Sequence, residues 1–273
     1  MPWESIKLNS GYYIPSIGFG TWKTGSGQGP IDQVKQALGN GYNHLDTAQN
    51  YRNEEETGVA LKETGLSRSD VFVTTKYSGS DNLDIPTSIK NSLDKLGLSY
   101  VDLYLVHAPR LAVPDIPTCW AQMEKVKEDG LAKSIGISNF GVQHMETLMA
   151  SAQIKPAVNQ ILLHPYVYQR QKPILEYAAK NGIVIEAYSA LIPITQSPGG
   201  PLDKPLNEIA AKFGATTEQI LLAWTKAKGA VVVTASSKKT RLQGYIAAGD
   251  ITLSPEDIAA IDAAGALGEE KPT

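Results

Sequence analysis

A phenol, an ammonium, a carboxylate and an imidazole stand at corresponding ends of three consecutive apolar runs in this chain. Asp46 closes the run around His44-Leu45-Asp46-Thr47-Ala48, and Tyr51 follows five positions later. Lys76 ends Val71-Phe72-Val73-Thr74-Thr75-Lys76, and His107 ends Val101-Asp102-Leu103-Tyr104-Leu105-Val106-His107. Placed together at the ends of neighbouring strands, these groups suit protonation of a carbonyl oxygen while hydride arrives from elsewhere. Tyrosine, with an ordinary pKa of about 10, is a weak acid at neutral pH. An adjacent ammonium stabilises tyrosinate, so Lys76 is expected to lower the pKa of Tyr51, with Asp46 keeping Lys76 charged and oriented. His107 is expected to donate a hydrogen bond to the substrate oxygen as negative charge develops. No side chain supplies hydride, so a cofactor is implied. Singly, each residue has a plainer reading: an Asp46–Lys76 ion pair, a structural histidine, a packed tyrosine. Their joint placement is what points to catalysis.

The elements that must hold them are parallel strands. Candidate strands lie near 15–21, 43–48, 71–76, 101–107, 133–138, 156–161, 183–188 and 230–234, several of them unbroken Val- and Ile-rich runs of the kind covered on both faces. Helical patterns separate them. Gly29-Pro30-Ile31-Asp32 and Pro86-Thr87-Ser88-Ile89 open two of these, and Trp120, Met123 and Val126 share a helical face. Ser254-Pro255-Glu256-Asp257 combines a capping serine, a first-turn proline and acids at the positive helix end. Eight strands alternating with helices over about 250 residues predict a (β/α)8 TIM barrel, whose active site gathers at the C-terminal strand ends. An open doubly wound sheet fits less well, because Gly18-Phe19-Gly20-Thr21-Trp22 has the first two glycines of G-x-G-x-x-G and lacks the third. Residues 6–15 read as a short N-terminal β-hairpin turning at Asn9-Ser10-Gly11, placed to plug the barrel bottom. No linker or low-complexity segment interrupts the pattern, so a single domain over 1–273 is expected.

Bulk properties narrow the function. The chain has 273 residues, 42% of them hydrophobic, and a formal charge of −3 with no basic stripe, which argues against nucleic acid or an anionic membrane as partner. Cys119 is the sole cysteine, so no intramolecular disulfide can form. With no signal-peptide layout at Met1-Pro2-Trp3-Glu4 and no membrane-length apolar run, a cytoplasmic monomer acting on a small molecule is expected. The four histidines, His44, His107, His144 and His164, show no H-x-H or H-E-x-x-H spacing, so no metal is expected and a metal-dependent barrel hydrolase is disfavoured. His44 alternates with Asp46 and is expected to face the same way. A non-catalytic nucleotide sensor on the same fold is the second reading.

Longer motifs bring in a family. His44-Leu45-Asp46-Thr47-Ala48-Gln49-Asn50-Tyr51 followed by Asn53-Glu54-Glu55 resembles the D-T-A-x-x-Y-x-N-E signature of the aldo-keto reductases. Ile135-Gly136-Ile137-Ser138-Asn139-Phe140 is similar to their G-x-S-N-F motif, and Gly18-Phe19-Gly20-Thr21-Trp22 to their first strand. Thr74-Thr75-Lys76 and Val106-His107 fall where the family places its lysine and histidine. The resemblance covers nearly the whole chain. It implies Tyr51 as general acid assisted by Lys76 and Asp46, with His107 orienting the carbonyl, and NADPH/NADP+ as cofactor. By the same resemblance, Ser138, Asn139 and Gln160 hold the nicotinamide carboxamide, Tyr188 stacks on its ring, and Ser189 and Leu191 begin the pyrophosphate strap. Gly20, Thr21, Trp22 and Asp46 border the cofactor, while Thr234, Ser236, Ser237, Lys238 and Arg241 surround the adenosine 2′-phosphate. Trp22 and Tyr77 are expected to wall the substrate pocket with Tyr51 and His107.

Departures from the family pattern matter too. Ala235 stands where many relatives have lysine, Gly244 and Tyr245 replace an acid–asparagine pair, and Ala108 replaces a tryptophan beside the histidine. With the sequence ending at Lys271-Pro272-Thr273, soon after its last helix, the long C-terminal loop that often closes over substrate is expected to be missing. Thr74-Thr75-Lys76-Tyr77 and Ser236-Ser237-Lys238 are most similar to fungal members that reduce activated dicarbonyls and keto-lactones.

Overall fold

The computed structural model describes residues 2–268, so the expectation drawn from Lys271-Pro272-Thr273 lies outside the described residues. An antiparallel hairpin comes first, β1 (Ser5–Lys7) and β2 (Tyr13–Pro15), with Ile6 opposite Ile14. Eight parallel strands follow: β3 (Ile17–Gly20), β4 (His44–Asp46), β5 (Phe72–Tyr77), β6 (Val101–Val106), β7 (Ala132–Ser138), β8 (Val158–Leu162), β9 (Val184–Tyr188) and β10 (Val231–Thr234). Each pairs with the next and β10 closes on β3, which makes a closed (β/α)8 barrel, as the strand count predicts. The expected first strand, 15–21, proves to be two pieces: Pro15 ends the hairpin and the barrel strand starts at Ile17.

The outer layer contains α1 (Gln28–Gly39), α2 (Glu54–Thr64), α3 (Ile85–Leu96), α4 (Ile116–Glu128), α5 (Val142–Met149), α6 (Tyr168–Asn181), α7 (Ile192–Thr195), α8 (Asp203–Phe213), α9 (Thr217–Ala227), α10 (Lys239–Ala247) and α11 (Pro255–Gly265). Their starts follow local chemistry. The Asp84 and Asp115 carboxylates accept from the Thr87 and Thr118 amides, and Ser254 closes a capping box with Asp257. Trp120 and Trp224 are buried core residues, each with its indole N–H satisfied, by the Ile154 carbonyl and the Asp262 carboxylate.

The hairpin seals the end of the barrel opposite the strand C-termini. Leu8 and Ile14 pack with Phe72, Leu103, Leu105, Ala157, Val158 and Val231 inside the barrel. The Asn9 amide donates to the Pro156 and Gly182 carbonyls just before β8 and β9, and Ser10 bonds Ser134 on β7. Truncating this plug should be costly. Ile14→Ala is expected to lower stability by about 2–5 kcal/mol, read as a lower urea midpoint at unchanged m value; an unchanged midpoint would show that the hairpin adds nothing to the core.

Candidate active site

At the other end of the barrel, β4 delivers Asp46 into the interior and a single 3₁₀ turn, Gln49–Tyr51, brings the phenol over it. β5 alternates, so Lys76 points inward and is fully buried. Its Nζ donates to Asp46 Oδ1 at 2.7 Å, to the Thr47 carbonyl at 2.9 Å and to the Tyr51 hydroxyl at 3.3 Å. The His107 ring lies edge-on to Tyr51, centroids 5.6 Å apart, and Trp22, about half exposed, leans on the other side of Tyr51 at 4.9 Å. The four sequence-derived residues therefore do converge.

Their electrostatics differ in one respect from expectation. Burial opposes a charge on Lys76, but Asp46, Tyr51 and Glu186 outweigh it, and the ammonium is held above its ordinary pKa. For Tyr51 burial dominates and raises the pKa, with Lys76 pulling it back and Asp46 adding to the rise. The expected net lowering is thus corrected: the phenol keeps its proton through the neutral range, as an acid must. Burial, followed by the Lys76 and Arg110 charges, pushes His107 down to about 3, so its imidazole is neutral.

A neutral imidazole donates through only one nitrogen, and its neighbours decide which. His107 Nδ1 lies 2.8 Å from the Ser78 hydroxyl, which lies 3.2 Å from the Asn50 amide. Ser78 has one proton. If it goes to Asn50, Nδ1 carries the imidazole proton and Nε2 can only accept. If the Asn50 amide is turned to donate, Ser78 donates to Nδ1 and Nε2 becomes a donor; a donor role for His107 requires this second arrangement.

From this centre a cleft of about 490 Å³ runs along the strand ends. Gly20, Trp22, Asp46, Tyr51 and His107 line it, as do Ser138, Asn139, Gln160, Tyr188, Ser189 and Leu191. Thr234, on the strand paired with that of Gly20, and Arg241 line it as well. Asn139 (φ 62°) and Ser189 (φ 60°) hold left-handed backbone at the ends of β7 and β9. Such geometry is uncommon for non-glycine residues and concentrates at functional sites. The Tyr188 hydroxyl donates to Asn139 Oδ1, and Ser138 Oγ donates to the Gln160 carbonyl, so these residues brace one another.

Some expected residues lie elsewhere. Tyr77, one position after Lys76, points out of the barrel, where its hydroxyl donates to the Leu83 carbonyl; the same alternation that buries Lys76 removes Tyr77 from the pocket wall. Thr21 is wholly buried, its hydroxyl hydrogen-bonded to Thr47 and Asn53, so it sits behind the cleft. Ser236, Ser237 and Lys238 sit just before α10, outside the cleft wall, where Lys238 is the capping position. Conversely, Asn50, Ala190, Ile192, Val233, Ala235 and Tyr245 line the cleft without having been singled out as site residues. Ala108 opens a second groove with Pro109, Arg110, Ile116 and His144. Burial pushes the Cys119 thiol up to about 12, leaving it an unreactive core group. Among the described residues no cluster of three or more His, Cys, Asp or Glu is placed to hold a metal ion, and no helix is long and apolar enough to cross a membrane.

Comparison with known proteins agrees with this architecture. The family model described as the aldo/keto reductase family matches residues 16–266. An NAD/NADP-dependent indole-3-acetaldehyde reductase of Schizosaccharomyces pombe is 39% identical over 93% of this chain and 91% of its own. A glyoxal reductase of Bacillus subtilis is 37% identical over 95% and 92%. The crystal structure of a Bombyx mori aldo-keto reductase in complex with NADP superposes with a TM-score of 0.88 at 31% identity, covering 95% of this chain and 92% of that one.

Proposed function

The chain belongs to the aldo/keto reductase family, and from that premise we propose that it is an NADPH-dependent carbonyl reductase converting aldehydes and ketones, α-dicarbonyls and keto esters or lactones among them, to alcohols. The observation that carries this reading is the Tyr51 hydroxyl, open to the cleft and backed by a fully buried Lys76–Asp46 pair.

The residues present suit a nicotinamide dinucleotide. Gln160 Oε1 receives no hydrogen bond from any described residue and belongs to a side chain that lines the cleft, so an acceptor awaits a carboxamide N–H. Ser138, Asn139 and Gln160 would hold the carboxamide, Tyr188 would cover the ring, and Ser189 and Leu191 would meet the pyrophosphate. Gly20, beside Val233, keeps the wall low: a Cβ there would come within 2.9 Å of the Val233 side chain. Thr234, Ser236, Ser237, Lys238 and Arg241 would take the 2′-phosphate at the N-terminus of α10, where free amides and cations favour an anion. With Ala235 in the cleft wall, the cations to do so come from the start of α10, Lys238 and Arg241 among them.

When bound, the dinucleotide supplies hydride to the carbonyl carbon. Tyr51 gives its proton to the carbonyl oxygen, and Lys76, held charged by Asp46, stabilises the tyrosinate that remains. His107 Nε2, a donor once Ser78 donates to Nδ1, orients the same oxygen. Trp22 shields the reacting face, and the small Ala108, next in the chain after His107, leaves room for a substituent beside the carbonyl. The protein is read as a monomer in a reducing cytoplasm.

Cofactor choice is the direct test of the phosphate end. NADPH should be oxidised faster than NADH with a subset of a panel containing glyoxal, indole-3-acetaldehyde, α-diketones, keto esters and a keto lactone. Arg241→Leu should lower kcat/KM for NADPH by about tenfold to a hundredfold and leave NADH nearly unaffected. Equal use of both cofactors would remove the phosphate assignment. Tight NADPH binding without oxidation of any carbonyl would instead favour a non-catalytic nucleotide sensor.

A further inference from the structure

Beneath the cleft the barrel interior contains a second carboxyl group that the reaction above does not use. Glu186 sits on β9 two residues before Tyr188 and is completely buried. Its Oε2 accepts from Gln160 Nε2 at 2.8 Å, and the same nitrogen donates to Asp46 Oδ2 at 2.7 Å. Both N–H bonds of the Gln160 amide are thereby taken up on the interior side. An amide held by two acceptors on its nitrogen has one orientation, with its carbonyl oxygen turned away from them. His44 completes the enclosure, its Nε2 lying 3.0 Å from Thr74 Oγ1 and 3.6 Å from Glu186 Oε1, with the ring filling space that Gly18 leaves open.

We propose that Glu186 is a positioning residue that, with Asp46, locks the Gln160 amide with its carbonyl oxygen toward the cleft, so that the site recognises a nicotinamide ring by the N–H of its carboxamide. The proposal rests on the nicotinamide reading of the cleft and adds to it the group that fixes the recognition element. Burial and the adjoining Asp46 charge push the Glu186 carboxyl well above the usual carboxylate range, and burial lowers His44 to about 4. Either form of the carboxyl accepts from Gln160, and the shift toward the protonated form weakens its repulsion of the Asp46 carboxylate that Lys76 needs. Gln160 contributes only through its side-chain amide, because its backbone carbonyl already accepts from Asn139 N and Ser138 Oγ.

The test compares binding of NADP+ with binding of its 3-acetylpyridine analogue, in which a methyl ketone replaces the carboxamide and the N–H donor is lost. The wild type should prefer NADP+ by about fivefold to tenfold. Glu186→Met, of similar volume and without a strong acceptor, should shrink the preference to about twofold or less, and Glu186→Gln, which keeps a carbonyl for Gln160, should preserve it. Gln160→Met should abolish the preference, and Glu186→Met added to it should change nothing more. Adenosine 2′,5′-bisphosphate, which lacks the nicotinamide end, should bind all variants equally and so reports an intact cleft; Glu186→Val is the substitute should the Met variant not fold. A preference undiminished in Glu186→Met or Glu186→Val, or absent in the wild type, overturns the proposal alone. Failure of the wild type to bind either dinucleotide overturns the nicotinamide reading and the proposal with it.

Discussion

Replacing Tyr51 with Phe should lower kcat by about 10²–10⁴-fold, the range set by a positioned general acid, while the dissociation constant for NADPH stays within about twofold. The substitution removes one oxygen and one proton from a ring that remains packed between Trp22 and His107, so the cleft keeps its shape. The pH dependence follows from the same geometry. An acid acts only while protonated, and burial raises the Tyr51 pKa. Wild-type kcat/KM should therefore hold level across neutral pH and fall only on the alkaline side, beyond the ordinary phenol value of about 10. An alkaline limb centred near neutrality would mean that Lys76 outweighs burial. Turnover of the Phe variant near the wild-type level would assign the proton to another group.

Lys76→Met should fail in two ways at once. The ammonium lies in a fully buried position against Asp46, and its loss leaves a carboxylate in the barrel interior with the Gln160 amide as its one side-chain donor among the described residues. Breaking one partner of a buried ion pair costs about 3–5 kcal/mol, which should appear as a lower denaturant midpoint. Turnover should also drop by about 10²–10³-fold, because the tyrosinate left by proton transfer loses its neighbouring charge. The two effects separate in the double variant. Asp46→Asn combined with Lys76→Met removes the stranded charge and should recover most of the lost stability without restoring turnover. Recovery of both would make the pair structural; recovery of neither would mean that the cost arises from packing of the long side chain.

Much of this architecture is legible in the sequence, for identifiable reasons. The unbroken apolar runs show the eight strands because both faces of a barrel strand are covered, and the polar residues that end those runs mark the C-terminal rim where Asp46, Lys76 and His107 gather. Ser16 between Pro15 and Ile17 is where the pattern misleads: hairpin and barrel strand are both apolar there, and periodicity carries no mark of the break between them. Tyr77 follows Lys76 on the same strand, and strict alternation sends it outward, so motif position was the weaker guide. The sign of the Tyr51 shift was hidden because charges can be counted in a sequence while burial cannot. Glu186 left a signal that went unread. An acid in the otherwise apolar Val184-Ile185-Glu186-Ala187-Tyr188, in phase with Tyr188, has to face the barrel interior. Gln160 stands 26 residues before Glu186 in the chain and Asp46 a further 114 before Gln160, and only the closed sheet joins them.

The central claim is that hydride passes from the nicotinamide to a carbonyl carbon in a cleft where Tyr51 supplies the proton. Its most direct test follows deuterium. The protein is given NADPH deuterated at the transferring position of C4, together with glyoxal or an α-diketone, and the alcohol formed is analysed by mass spectrometry alongside the loss of NADPH absorbance. The expected result is one deuterium on the former carbonyl carbon for each NADPH oxidised, with the yield collapsing in Tyr51→Phe. Alcohol free of deuterium, or NADPH left unoxidised across the carbonyl panel, would contradict it.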